Sequence, residues 1–286
     1  MTLQPLILKL GFITITGYGI MMAVGFLVAG WVIYLELKRR GLSDEFSSDI
    51  IVAGVIGGVA GAKIWYAVLY HDAGALFSRG GLVWYGGFLG GATAVLLNAW
   101  RQRVPVRFTL EISAPALALG YAIGRIGCFL VEDDYGVPTS LPWGMKFPNG
   151  LPPTTAANLQ RLFHAPVPAT AQPYDVLAVH PTQLYEVLAM SLVFWILWRL
   201  RPHHHATGWL FGVYLMFAGV ERFLIEFIRA KDDRMLAGFT LAQAASVAAV
   251  VLGVVLMRRW AKPDGFTLPE EAKVLRRLDA EPDAKA

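Results

Sequence analysis

Apolar residues fall into seven blocks along the chain, at 17–36, 49–70, 81–99, 108–128, 181–198, 207–228 and 239–257. Each block is a continuous run, not an alternation of apolar and polar positions. A helix needs roughly 20 predominantly apolar residues to cross a hydrocarbon layer about 30 Å thick. Barrel strands are shorter and alternate from face to face, so the pattern argues against a barrel. The expected fold is an all-α integral membrane protein with about seven transmembrane helices. The block at 108–128 is the least apolar, since it carries Glu111, Pro115 and Arg125.

Composition agrees with the pattern. Of 286 residues, 56% are hydrophobic and only 16% charged, against about 25% charged in an ordinary soluble domain. The mean hydropathy is +0.50. With the N-terminus outside and the helices alternating, the inside segments carry Lys38, Arg39, Arg40, Arg101, Arg103, Arg107, Arg199, Arg201, Arg258, Arg259, Lys262, Lys273, Arg276, Arg277 and Lys285. The outside segments carry Lys9, Arg79, Lys146, Arg161, Arg229, Lys231 and Arg234. Cationic loops stay cytoplasmic, so this bias places the N-terminus in the periplasm and the C-terminus in the cytoplasm. The net charge of +4 follows from topology, and nucleic acid is not an expected partner. The N-terminus lacks the basic segment and small-residue cleavage site of a secretory signal.

Cys128 is the single cysteine, so no intrachain disulfide is available. No Cys/His cluster suggests a metal, and His203, His204 and His205 read as a polar loop. The outside segment 129–180 holds eight of the 16 prolines. It reads as a periplasmic cap with little regular structure, long enough to cover a site. The expected organisation is a membrane domain over 1–260, including this cap, and a cytoplasmic tail over 261–286.

Glycines four residues apart recur as Gly54/Gly58 and Gly57/Gly61 in the second block, and as Gly86/Gly90 and Gly87/Gly91 in the third. Small residues at this spacing let helix backbones approach closely in lipid. Gly80-Gly81 and Gly86-Gly87 also flank Leu82-Val83-Trp84-Tyr85, where exposed backbone N–H groups could reach a ligand.

Charges inside apolar blocks are expensive and generally face a cavity or a partner. This chain has Lys63, Arg125, Glu186, Glu221, Arg222 and Glu226, with Arg229 just beyond. Spacings of four and three put Arg222, Glu226 and Arg229 on one helical face. Glu226 could pair with either arginine and leave the other for an anion, and a guanidinium fork suits phosphate.

Gly124-Arg125-Ile126-Gly127-Cys128-Phe129 through Gly136 resembles the G-R-x-G-N-F-x-N-x-E-x-x-G signature of the prolipoprotein diacylglyceryl transferase family. His180-Pro181-Thr182-Gln183-Leu184-Tyr185-Glu186 is similar to that family's H-P-[ST]-Q-L-Y-E segment. Glu221-Arg222-Phe223-Leu224-Ile225-Glu226-Phe227-Ile228-Arg229 is similar to its R-F-x-x-E-x-x-R helix, and Tyr18-Gly19 matches its early Tyr-Gly. The order and spacing agree along most of residues 10–260.

The resemblance implies transfer of the diacylglyceryl group of phosphatidylglycerol to the lipobox cysteine thiol of a preprolipoprotein. A thioether forms and glycerol 1-phosphate leaves, with no cofactor and no metal. It implies a multi-pass protein of the bacterial inner membrane, in contact with membrane lipid, with its active site towards the periplasm. Arg125, Arg222, Tyr85 and Glu226 would be catalytic. Tyr18, Lys63, Gly86, Gly87, Asp133, Gly136, His180, Gln183, Tyr185 and Arg229 would bind substrate. Lys63 would meet the lipid headgroup or serve as counter-ion to Glu186 or Glu226.

The chain departs from the family pattern where thiol activation is expected. Tyr85 replaces the His of a His-Gly-Gly at the outer end of the third helix. A phenol is a poorer base than an imidazole near neutral pH, and loss of a positioned base typically costs about 10²–10⁴-fold. Cys128 and Val131 stand where the family has Asn, and Asp133 stands where it has Glu. The arginines are kept. This combination implies a divergent member, with a different acceptor or a lipid-binding or transport role as alternatives.

Overall fold

The structure, a computed structural model, describes residues 7–10, 13–72, 74, 76, 83–231, 234–236, 239–263 and 272–276. Gly80-Gly81, Arg79 and most of the 261–286 tail lie outside the described residues. The seven apolar blocks all become helices: α1 (Gly17–Arg39), α2 (Glu45–Tyr70), α3 (Trp84–Arg101), α4 (Val106–Leu130), α6 (Thr182–Leu200), α7 (Trp209–Ile225) and α8 (Leu241–Arg259). A shorter helix, α5 (Ala156–Phe163), lies between α4 and α6. Five of them, α1, α2, α4, α6 and α8, are long and apolar enough to cross a membrane. α7 has 17 residues and α3 has 18.

Two small antiparallel ribbons qualify the all-α expectation. β1 (Ile7–Leu10) pairs with β2 (Ile13–Thr16) just before α1. β3 (Arg234–Leu236) pairs with β4 (Phe239–Thr240) just before α8. The apolar block at 239–257 therefore begins as a strand and turns helical at Thr240. Its side chain accepts from the Gln243 N–H at 3.1 Å, and Gln243 accepts from the Thr240 N–H at 3.0 Å. This reciprocal pair satisfies two of the donors that a helix start leaves open.

The segment between α4 and α6 is also more ordered than its prolines suggest. Tyr135, Phe147, Leu159, Ala165 and Val179 form a buried apolar core with Ala230. The Tyr135 hydroxyl donates to the Pro152 carbonyl at 2.5 Å. α5 is capped by Thr155, which accepts from the Asn158 N–H at 3.3 Å. Proline restricts the chain but does not stop aromatic residues from collapsing around it, which a composition-based reading misses.

The chain divides into two compact units, with the divisions falling inside α1 and α4. The first comprises Met1–Gly25, Leu117–His203 and Trp209–Ala261, and the second Phe26–Ala116, His204–Gly208 and Lys262–Ala286.

In the second unit, α2 and α3 pack through their glycines. A Cβ on Gly61 would lie 2.8 Å from the Gly90 Cα, and one on Gly57 would lie 2.6 Å from the Gly90 carbonyl oxygen. The paired small-residue spacing thus brings two backbones into direct contact, as expected. α2 also leaves Val52, Ile56, Val59, Ile64, Trp65, Val68 and Leu69 exposed, an apolar surface that suits lipid and not water. In the first unit, α7 and α8 use the same device, which the sequence reading overlooked. A Cβ on Gly212 would meet the Gly253 carbonyl at 2.9 Å, and one on Gly219 would meet that of Ser246 at 2.7 Å.

Candidate active site

Four segments of the first unit supply the candidate chemistry: the C-terminal part of α4, the turn after it, the start of α6 and the end of α7. Arg125 projects from α4 one helical turn after Tyr121. Its Nη2 donates to the Tyr121 hydroxyl at 3.0 Å. Its Nε lies 2.6 Å from Glu186 Oε2, an ionic contact that is not aligned as a hydrogen bond. Its Nη1 donates to Asp134 Oδ2 at 2.7 Å and lies 3.7 Å from Cys128 Sγ.

Glu186 joins the arginines. Its side chain is only 1% exposed and also faces Arg222 Nη1 at 3.6 Å. The Tyr121 hydroxyl donates to Glu186 Oε1 at 3.2 Å. A carboxylate this deeply buried is retained only where cations and donors compensate it. Arg222 also reaches Glu226 Oε2, at 2.7 Å.

The expected Arg222/Glu226/Arg229 face is therefore realised only in part. α7 ends at Ile225, and the chain turns before Arg229. The Gly136 N–H donates to the His180 carbonyl at 2.8 Å, and the Val137 N–H to that of Ile228 at 2.9 Å. Arg229 is consequently drawn to Asp134 Oδ1, not to Glu226, and is not a free cation.

Asp134 thus receives one guanidinium on each oxygen. Burial alone would raise its pKa, but Arg229 and then Arg125 outweigh that and hold it below the usual carboxylate value. Its neighbour Asp133 behaves oppositely: burial, reinforced by the Asp134 charge, raises it to about 6. The turn is pinned from α6. The Gln183 side-chain amide donates to the Asp133 carbonyl, and the Thr182 hydroxyl donates to the Asp134 carbonyl at 2.7 Å. Glu132 and Asp134 both have left-handed backbone, at φ 60° and 58°, a conformation that aspartate tolerates better than glutamate.

The remaining candidates serve in other ways. Gly136 is a close-approach position, since a Cβ there would fall 2.7 Å from His180 Cβ and 2.9 Å from a Thr182 methyl. Tyr185 accepts a hydrogen bond from Trp143 Nε1 at 2.8 Å and sits 3.3 Å from His180 Nδ1. Burial lowers the His180 pKa, so the ring is neutral at neutral pH. Tyr18, 40% exposed, is packed by its backbone against Gly127, where a Cβ would come within 3.2 Å of the Tyr18 Cα. Lys63, Tyr85, Gly86 and Gly87 belong to the second unit. There Gly86 is buried against Gly61 of α2. Tyr85 is 47% exposed and sits edge-on to Trp84, with ring centroids 5.3 Å apart.

Sequence reasoning named Glu186 as a charge but not as the shared partner, and it did not single out Tyr121 or Asp134. Tyr121 could have been found from its spacing four residues before Arg125 on a helix. Asp134 had no such signal, because its partners lie in other segments. A thiol sulfur of Cys128 and one oxygen each of Asp133 and Asp134 lie within 4.8 Å of one another. The Asp134 charge there is already answered by the Arg125 and Arg229 guanidinium groups, which oppose a cation.

A family model described as prolipoprotein diacylglyceryl transferase matches residues 5–259. Proteins named phosphatidylglycerol–prolipoprotein diacylglyceryl transferase are similar over nearly their whole length. One from Clostridium tetani is 30% identical, over 88% of this chain and 96% of its own. One from Vibrio atlanticus is 30% identical, over 95% and 96%. One from Burkholderia mallei is 33% identical, over 89% and 93%.

Proposed function

The chain belongs to the prolipoprotein diacylglyceryl transferase family, and from that premise we propose that it lipidates secreted preprolipoproteins, moving the diacylglyceryl group of phosphatidylglycerol to a lipobox cysteine. The observation that carries the reading is the convergence of Arg125, Arg222 and Arg229 on the buried Glu186 and the exposed Asp134. Such a cluster of guanidinium groups suits a lipid phosphate.

In the reaction the cysteine sulfur forms a bond to the terminal glyceryl carbon. The bond from that carbon to the phosphate oxygen breaks. The oxygen keeps the electron pair and departs as glycerol 1-phosphate, while the thiol proton passes to solvent or to a base. Arg125 and Arg222 stabilise the charge growing on the leaving oxygen. Glu226 orients Arg222, Arg229 binds the phosphate and Tyr85 acts as acid, base or lipid orienter. Tyr18, Lys63, Asp133, His180, Gln183 and Tyr185 shape the substrate surface, and no cofactor or metal takes part.

The proposed topology has seven spans. At 1.5 Å per residue, α3 and α7 are about 25 Å long, close to the hydrocarbon thickness, and they pack on α2 and α8. The Lys/Arg bias supports a periplasmic N-terminus, a cytoplasmic tail over 261–286 and a periplasmic cap over 129–180 on the 1–260 domain. The site then opens to the periplasmic side of the inner membrane.

The test combines the purified protein in detergent with phosphatidylglycerol and a single-cysteine lipobox peptide, and follows the peptide by mass spectrometry. A gain of one diacylglyceryl unit is expected. Arg222→Ala is expected to reduce the rate at least about 10²-fold. Bound lipid without any mass gain in the wild type would overturn the transfer reading in favour of a lipid-binding role.

A further inference from the structure

Asp134 is the least buried acid of the arginine cluster. Its side chain is 40% exposed, against 1% for Glu186 and Glu226. Its two oxygens are divided between two guanidinium groups that come from different segments, Arg125 of α4 and Arg229 beyond α7. Those groups are themselves 13% and 8% exposed. Asp134 is the one acid paired with Arg229 among the described residues, whereas Arg125 keeps Glu186 as well.

A phosphodiester presents the same features as this carboxylate: two equivalent anionic oxygens on one atom, each able to take a guanidinium. We propose that Asp134 is an internal stand-in for the lipid phosphate. It fills the cradle of Arg125 and Arg229 until an anionic phosphodiester headgroup displaces it. It thereby sets the charge a headgroup must carry in order to bind. The proposal rests on the reading of the arginine cluster as the headgroup site.

The local structure suits such an exchange. The Asp134 backbone is held independently of its carboxylate, because the Thr182 hydroxyl grips its carbonyl at 2.7 Å. The side chain can therefore leave without unfolding the turn. The carboxylate is the most exposed acid of the set, so solvent is at hand to hydrate it as it leaves. Arg125 and Arg229 cannot leave as easily: Arg125 keeps Glu186, while Arg229, 8% exposed, gives up its Asp134 counter-charge until the phosphate arrives. Asp134 is a positioning and selectivity residue and takes no part in bond making.

Asp134→Asn tests the proposal directly, because asparagine keeps the shape and also tolerates left-handed backbone. The full-length protein would be titrated with phosphatidylglycerol and, separately, with uncharged diacylglycerol. Removal of the internal competitor is expected to tighten phosphatidylglycerol binding about tenfold and to lower its KM by a similar factor. Diacylglycerol binding is expected to stay unchanged. A purely structural role predicts the opposite sign, and unchanged or weaker phosphatidylglycerol binding would overturn the proposal. Competition by glycerol 1-phosphate distinguishes the source of the phosphate. Tightening by the same factor assigns the cradle to the phosphate group alone, and no tightening assigns it to the lipid-borne diester.

If the variant fails to fold, carboxylate footprinting of the wild type decides. Labelling of Asp134 by a water-soluble carbodiimide is expected to rise with phosphatidylglycerol and not with diacylglycerol. Unchanged or reduced labelling would refute displacement. A wild type that transfers nothing, while Asp134→Asn still binds phosphatidylglycerol more tightly, would remove the proposed reaction and leave this inference standing. An active wild type whose affinity Asp134→Asn does not improve would remove this inference alone.

Discussion

Glu186→Gln is the substitution with the most diagnostic consequence. Glu186 is 1% exposed and faces Arg125 at 2.6 Å and Arg222 at 3.6 Å, while the Tyr121 hydroxyl donates to it at 3.2 Å. Glutamine preserves the volume and can still accept from Tyr121, so the change isolates the charge. Breaking a buried ion pair by removing one partner typically costs about 3–5 kcal/mol. Here Arg125 retains Asp134 and Arg222 retains Glu226, so a cost at or just below the bottom of that range, about 2–3 kcal/mol, is expected. If half of this falls on the positioning of the arginines in the transition state, kcat/KM drops about tenfold; if all of it does, about 10²-fold. The peptide-lipidation rate gives the first quantity, and thermal unfolding in detergent gives the second. A variant with kcat/KM within threefold of wild type and an unchanged melting temperature would refute the idea that Glu186 organises the cluster.

Two further perturbations test other parts of the reasoning. The Asp133 carboxyl is raised to about 6 in the folded protein, from an ordinary value of 3.8. Its contribution to stability is therefore fully present below about pH 4 and is lost as pH rises through 6, so Asp133→Asn is expected to abolish that decline in a melting series from pH 4 to 8. Asp134 is lowered instead, so its contribution is present above its ordinary value and fades on acidification; the difference between Asp133→Asn and wild type separates the two. Gly61→Ala places a methyl 2.8 Å from the Gly90 Cα, where backbone cannot yield as a side chain would. A loss of about 1–3 kcal/mol is expected, and an unchanged unfolding midpoint would contradict the close α2/α3 packing.

The order of elements was legible in the sequence because a lipid-spanning helix must be apolar along its whole length. That constraint is local, and each of the seven blocks became a helix with ends displaced by only a few residues. The glycine pairs of α2 and α3 were legible for the same reason, since a fixed spacing of four marks one face of a helix. The packing inside the 129–180 segment was not legible, because proline content reports local stiffness and not the long-range packing of Tyr135, Phe147 and Val179. The pairing of the charges was likewise open. Helical spacing alone allowed Glu226 to choose between Arg222 and Arg229.

The sequence by itself determined that Arg125, Glu186, Arg222 and Arg229 would be costly in an apolar setting, because the expense of a buried charge is a property of the residue and its immediate neighbours. Only the tertiary structure decided which acid answers which base. The end of α7 at Ile225 and the backbone bonds that join Gly136 and Val137 to His180 and Ile228 carry Arg229 to Asp134, a residue 95 positions away. A Coulombic contact depends on distance in space, and separation along the chain does not encode that distance.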